Sequence, residues 1–292
     1  MALAVQRLPE TIRQTSLPGM IAVYWHLLSL DAPSVAALWS WSFARVAHVA
    51  LPPFAPLLLA VGTWLVYVAD RLLDGMSRHH QLRERHYFYV RHRRLFLLAG
   101  TFVCPVFTWI VFTRMAPDVR REDSAIFALA MLYFLLVHMR GRQVETWLPK
   151  ELAVGALFAA ATAVPAWARI TGYNFLLASS VILFAILCWL NCVAIENWER
   201  RDSDAVEVPH RTTLWAGRHL QLLAMATALI AATLAFAVPV SRALFALYLA
   251  SASSALLFFW LARSERRLTT TQLRIAADAA LLTPLFFLAW MR

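Results

Sequence analysis

The chain has 292 residues, 61% of them hydrophobic, a mean hydropathy of +0.60 and a net charge of +10. That is too apolar for a soluble globular domain, and apolar runs recur along the whole length, so the sequence reads as an all-α, polytopic membrane protein in a single domain, 1–292. The excess charge is arginine placed between apolar segments, which is a topology signal and excludes a nucleic-acid-binding reading. Cys104, Cys188 and Cys192 all lie inside apolar runs and form neither a metal spacing nor a disulfide framework.

Residues 1–30 are mixed, without the basic region, apolar stretch and small-residue site of a signal peptide, and none is expected. Ile21 to Leu30, with Tyr24 and Trp25, reads as partly interfacial. Asp31 reads as a helix cap with Pro33 in the first turn. Nine spans are then expected: 32–50, 54–74, 95–115, 124–139, 149–168, 174–199, 219–238, 242–262 and 273–291. Two polar loops, 75–94 and 200–218, separate the second span from the third and the sixth from the seventh. Arginines crowd the loops after the even-numbered spans and thin out after the odd ones; Arg114, Arg120 and Arg121 are the exceptions. The positive-inside rule puts the N-terminus and the even loops in the cytoplasm, as expected of a protein of the cytoplasmic membrane.

Two of those cytoplasmic helix ends are acidic. The second span closes with Asp70 and Asp74, four apart and so on one helix face. Neighbouring carboxylates repel unless a cation sits between them, and hard oxygen donors suit Mg²⁺ with phosphate and water as its other ligands. The plainer reading makes Asp70 a partner of Arg71 or a later arginine, and Asp74 a helix end before Gly75. The sixth span closes with Asn191, Glu196, Trp198 and Glu199, then Asp202, Ser203 and Asp204. Alone this is an ordinary polar helix end, but Asn191 and Glu196 lie deep enough to be costly without partners. Arg83, Arg85 and Arg91 follow the first cluster and Arg211 the second. Guanidinium forks bind phosphate oxygens bidentately, and most such arginines serve as anchors facing anionic lipid. Deeper still, Asp278 follows Arg274 by four residues in the ninth span, which predicts a pair on one face.

Acidic motifs closing the second and sixth of nine helices resemble the UbiA superfamily of intramembrane prenyltransferases. That family's first motif is close to NDxxDxxxD. Here Asp70, Arg71 and Asp74 match it, and Val66 and Tyr67 replace its leading residues. For its second motif, DxxxD, this chain has Glu199 and Ser203, flanked by Asp202 and Asp204. The segment from Pro149 through Gly155 to Pro165 looks like the family's fifth helix. The resemblance implies a UbiA-like bundle and Mg²⁺ held by Asp70, Asp74, Glu199, Asp202 and Asn191. It implies a prenyl diphosphate donor gripped with help from Arg71, Arg83, Arg85, Arg91, Arg211 and Glu196, and aromatic faces at Tyr67 and Trp198 near an allylic cation. Asp70, Asp74 and Glu199 would be the catalytic residues. Three activities follow: transfer of an isoprenoid chain to an apolar acceptor, cyclisation of the same donor with no acceptor, or an inactive relative serving as a membrane scaffold or lipid carrier.

Overall fold

The computed structural model describes residues 17–76, 84–140, 149–172, 174–201, 209–238 and 241–291. Among the described residues every regular element is helical: α1 (Leu17–Leu27), α2 (Asp31–Val46), α3 (Phe54–Met76), α4 (Glu84–Arg91), α5 (Arg93–Arg114), α6 (Pro117–Arg140), α7 (Lys150–Trp167), α8 (Phe175–Arg201), α9 (Arg211–Arg218), α10 (Leu220–Ala237), α11 (Arg242–Ser264) and α12 (Thr270–Ala280), then a 3₁₀ turn over Thr283–Phe287. Five helices are long and apolar enough to cross a membrane: α3, α5, α8, α10 and α11. A sixth crossing results if α1 and α2, bent by 89°, count as one.

That bend has a local cause. Leu30 N–H reaches back to the Trp25 carbonyl and Ser29 N–H to that of His26, a pattern that closes a helix with one left-handed residue. Ser29 takes that position, with φ of 52°. Glycine would adopt it more cheaply, but the serine hydroxyl accepts a bond from the Tyr89 phenol (3.0 Å) in a buried setting. The corner between α1 and α2 is therefore pinned to α4.

The expected ninth span is not one continuous helix. The α-helix stops at Ala280, whose carbonyl would have been the acceptor for the residue at 284. That residue is Pro284, which has no N–H and whose ring would crowd the carbonyl. The chain continues as a 3₁₀ turn, and the freed Leu281 carbonyl accepts the buried Trp39 indole N–H (2.7 Å). Trp39 in turn stacks on Phe184, with centroids 4.2 Å apart, and leans on Phe43. Arg45 Nε donates to the Met291 carbonyl (2.7 Å), so α2 holds the last segment at two points.

The core lies among α2, α7, α8, α10, α11 and α12, with α8 packed against all five of the others. Small residues make this close packing possible, as membrane helices require in the absence of a hydrophobic drive between them. α10 and α11 pack on one another, and both bring small buried residues to the core: Ala224, Ala228, Ala231 and Ala235 from α10, and Ala243, Ala246 and Ala255 from α11. Gly155 of α7 is the tightest point: a Cβ there would lie 2.8 Å from the backbone nitrogen of Trp189 in α8. α3 and α5 keep apolar, outward-facing surfaces, as lipid-facing helices do.

Gly155→Ala should accordingly push α7 off α8 and cost about 1–3 kcal/mol, the usual penalty for overpacking. Thermal unfolding of the purified protein in detergent checks this. An unchanged midpoint would mean that the two backbones are not in the contact described.

Candidate functional site

Polar side chains gather where α1, α2, α3, α7, α8 and α12 meet. At the centre, His26 of α1 faces two carboxyl groups. Its Nδ1 lies 2.7 Å from Asp31 Oδ2 and 3.5 Å from Asp278 Oδ2. Asp31 is the first residue of α2, and its second oxygen accepts the Ala32 N–H (2.9 Å). The helix N-terminus thus favours negative charge on that carboxylate. Leu30, not Asp31, occupies the N-cap position, so Asp31 is spared for the contact with His26. Asp278 comes from α12 and accepts from Asn191 Nδ2 of α8 (3.0 Å). The ligand-capable atoms of His26, Asp31 and Asp278 all lie within 4.8 Å of one another. Two carboxyl oxygens so placed in an apolar bundle need a proton or a cation between them.

A second rung lies beside the first. Arg274, one turn before Asp278 on α12, forms an ion pair with Glu199 of α8, and both side chains are largely buried. The expected Arg274–Asp278 pair along α12 is therefore not what forms: each residue turns instead to a different partner across the helix interface. The cross-helix arrangement gives Glu199 and Asn191 partners on α12 that an intrahelical pair would not. Trp198 is buried, and its indole N–H donates to Glu265 Oε2 (3.2 Å), while the other oxygen of Glu265 pairs with Arg201. Trp198 thus closes the α8–α11 corner and presents no open ring face.

On α3, Tyr67 is within electrostatic reach of Asp31, Asp278, Cys192 and Arg71. Arg71 is buried at 7% exposure, and its charge reaches the rings of Tyr67 and Tyr89. Asp70 and Glu196 are half-buried and engaged with neighbours. Arg91 and Arg211 are exposed, at the end of α4 and the start of α9. Asp74 belongs to α3 and Arg85 to α4, but their side chains, like Arg83, Asp202, Ser203 and Asp204 altogether, lie outside the described residues. On the α7 side, Glu151 accepts from the Thr213 hydroxyl (2.6 Å), which ties the start of α9 to the same end of the bundle.

Of the sequence-predicted residues, Asn191 and Glu199 meet α12, at Asp278 and Arg274. His26 and Asp31 had not been singled out for chemistry. The available signal was a histidine five residues before an aspartate across a helix break, with a third ionisable group buried in the final apolar run.

The donor set can be tested for a hard divalent cation. Asn191 Oδ1 is buried and has no hydrogen-bond partner, one atom away from the amide nitrogen that serves Asp278. The converging donors are the two carboxyl groups of Asp31 and Asp278 and the His26 imidazole, a mixed oxygen and nitrogen set, while Asn191 presents its amide nitrogen to Asp278. Glu199 fits less well, because its carboxylate is shared with a guanidinium.

Comparison with family models, with curated proteins and with solved structures returns no match.

Glu199→Gln should lower stability by about 1–3 kcal/mol, since the buried Arg274 guanidinium loses this carboxylate acceptor. Replacing both residues, Glu199→Leu with Arg274→Met, should recover most of that loss. Unfolding midpoints of the single and double variants decide it. A double variant as unstable as the single would show that the pair does not act as a unit.

Proposed function

We propose that this chain is a Mg²⁺-dependent intramembrane prenyltransferase of the UbiA type, moving an isoprenoid chain from a polyprenyl diphosphate to an apolar acceptor. In this reading α2, α3, α5, α6, α7, α8, α10, α11 and the broken α12 segment are the nine spans, with the acidic ends facing the cytoplasm. The observation that supports the proposal is the set of buried polar groups these elements hold: Arg71 is buried on α3 next to Asp70, and Asn191 and Glu199 of α8 meet Asp278 and Arg274 of α12. In this reading the two motifs border one region, as two-motif recognition of a diphosphate demands.

When bound, Mg²⁺ supplies positive charge against the diphosphate of the donor. Asp70 and Asp74 would hold it from α3, with Asn191 and Glu199 contributing from α8. Asp202 would add a carboxylate beyond the end of α8. Arg71, held in the interior, is placed to donate to the leaving diphosphate; Arg83, Arg85, Arg91 and Arg211 would draw the anion in from the polar loops. As charge builds on the leaving oxygen, fixed donors in a water-poor setting lower the barrier to breaking the C–O bond. The allylic carbon becomes electrophilic, and the Tyr67 ring on α3 would be the aromatic face that steadies it. Attack by the acceptor forms the new bond and releases a proton, for which His26, oriented through Nδ1 by Asp31, is a nearby base. Trp198, with its N–H spent on Glu265, supports the helix end instead of contacting substrate.

Cyclisation of the donor without an acceptor uses the same ionisation and differs only in what quenches the cation. Membranes containing the protein, incubated with labelled C10 to C20 prenyl diphosphates and Mg²⁺, separate the two by whether an acceptor is consumed. Asp70→Ala and Asp74→Ala should each abolish diphosphate release while the unfolding midpoint stays within a few degrees of wild type. Wild-type turnover by either folded variant would remove the metal assignment on α3.

A further inference from the structure

At the end of the bundle away from the acidic cluster, a cavity of about 380 Å³ opens between the end of α2, the start of α11 and the last residues of the chain. Arg45, His48, Ser241, Arg242, Trp290 and Met291 are among its lining residues, and no carboxylate is. The two arginines lie far apart in sequence and come together only here. Arg45, His48 and Arg242 are all exposed at the mouth of the cavity, but Arg45 is not free to swing. Arg45 Nε is fixed on the Met291 carbonyl at 2.7 Å, and its guanidinium sits 5.9 Å from the Trp41 ring centroid. That leaves both Nη groups without a protein acceptor among the described residues. Arg242 is the first residue of α11, whose cap is Ser241, with Oγ taking the Leu244 N–H (3.1 Å). The first-turn amides and the positive end of a 23-residue helix dipole therefore add to the side-chain charge at the same place.

His48 reaches the cavity because of how α2 ends. Val49 N–H bonds the Ala44 carbonyl and His48 N–H that of Arg45, which again closes the helix through one left-handed residue. His48 occupies that position with φ of 54°, where glycine would be at ease. An imidazole is thus carried where the backbone alone would favour no side chain. Two guanidinium groups and a helix N-terminus facing one space favour an anion there, and the imidazole adds a further hydrogen-bonding group. Planar guanidinium forks match tetrahedral oxyanions, and the Trp290 and Met291 walls suit an apolar attachment.

We propose that this cavity binds a phosphate group, either free or as the headgroup of an anionic phospholipid whose glycerol end lies against Trp290. The site is independent of the chemistry at the acidic end. In detergent, the full-length protein is titrated with inorganic phosphate against chloride while the unfolding midpoint is followed. In parallel, protein released from nanodiscs of phosphatidylcholine with or without phosphatidylglycerol is examined by native mass spectrometry for retained lipid. Arg242→Gln and His48→Gly are compared with wild type; the glycine eases the left-handed position, so that variant keeps its fold. Arg114→Gln, at the end of α5, is the charge-matched control. A saturable shift with phosphate identifies a free phosphate ligand, and selective retention of phosphatidylglycerol identifies a lipid headgroup. In either case Arg242→Gln should weaken binding about tenfold, the worth of one charge-assisted hydrogen bond, His48→Gly should weaken it measurably, and Arg114→Gln should leave it unchanged. The proposal is overturned if neither probe binds, or if folded Arg242→Gln and His48→Gly respond as wild type does.

Discussion

The carboxylate of Asp278 is the group on which the polar end of the bundle depends. A lone carboxylate among apolar helices is costly, and here it is shared among His26, Asn191 and Asp31, from three other helices. Because those partners belong to α1, α8 and α2, satisfying one charge fixes how four elements meet. The α1–α2 corner, set by the left-handed Ser29 and its bond from Tyr89, brings His26 and Asp31 to the same point. The Arg274–Glu199 pair then fixes the rotation of α12 on α8. Such networks bring little net stability compared with apolar packing, but they define one arrangement, because every other register strands a buried charge.

The apolar core and the polar end divide the work. Alanine- and glycine-lined contacts between α7 and α8 and between α10 and α11 let backbones approach closely and make a rigid frame. The polar end, built on the termini of those helices, inherits that rigidity. Titratable groups held between rigid helix ends are a usual place to find chemistry in a membrane protein. The outward-facing α3 and α5 are less enclosed, and α3 carries Asp70 half-buried while turning Arg71 inward. A substrate with a charged head and an apolar tail would have to span the boundary between the frame and lipid.

Much of this was legible in the sequence. Long apolar runs mark α3, α5, α8, α10 and α11 because span length and hydropathy are one-dimensional properties. The positions of Asn191 and Asp278 as costly intramembrane polar groups were equally visible. What escaped was pairing. Arg274 and Asp278 are four apart, and the i,i+4 rule favours a local contact; long-range partners won because Glu199 and Asn191 were buried opposite them. Asp31 has the look of a helix cap, and only the fold reveals that Leu30 takes that place. The interruption at Pro284 was in plain sight, since a proline removes a backbone donor wherever it stands, but hydropathy alone runs straight through it.

The coupling between His26 and Asp278 tests the central claim most directly. Unfolding free energies of wild type, His26→Ala, Asp278→Asn and the double variant form a thermodynamic cycle. If these groups share one charge-balanced network, the two losses are non-additive, with an interaction energy of about 1 kcal/mol or more. Additive losses, within about 0.3–0.5 kcal/mol, would show that α1 and α12 are not joined through this contact and would contradict the account.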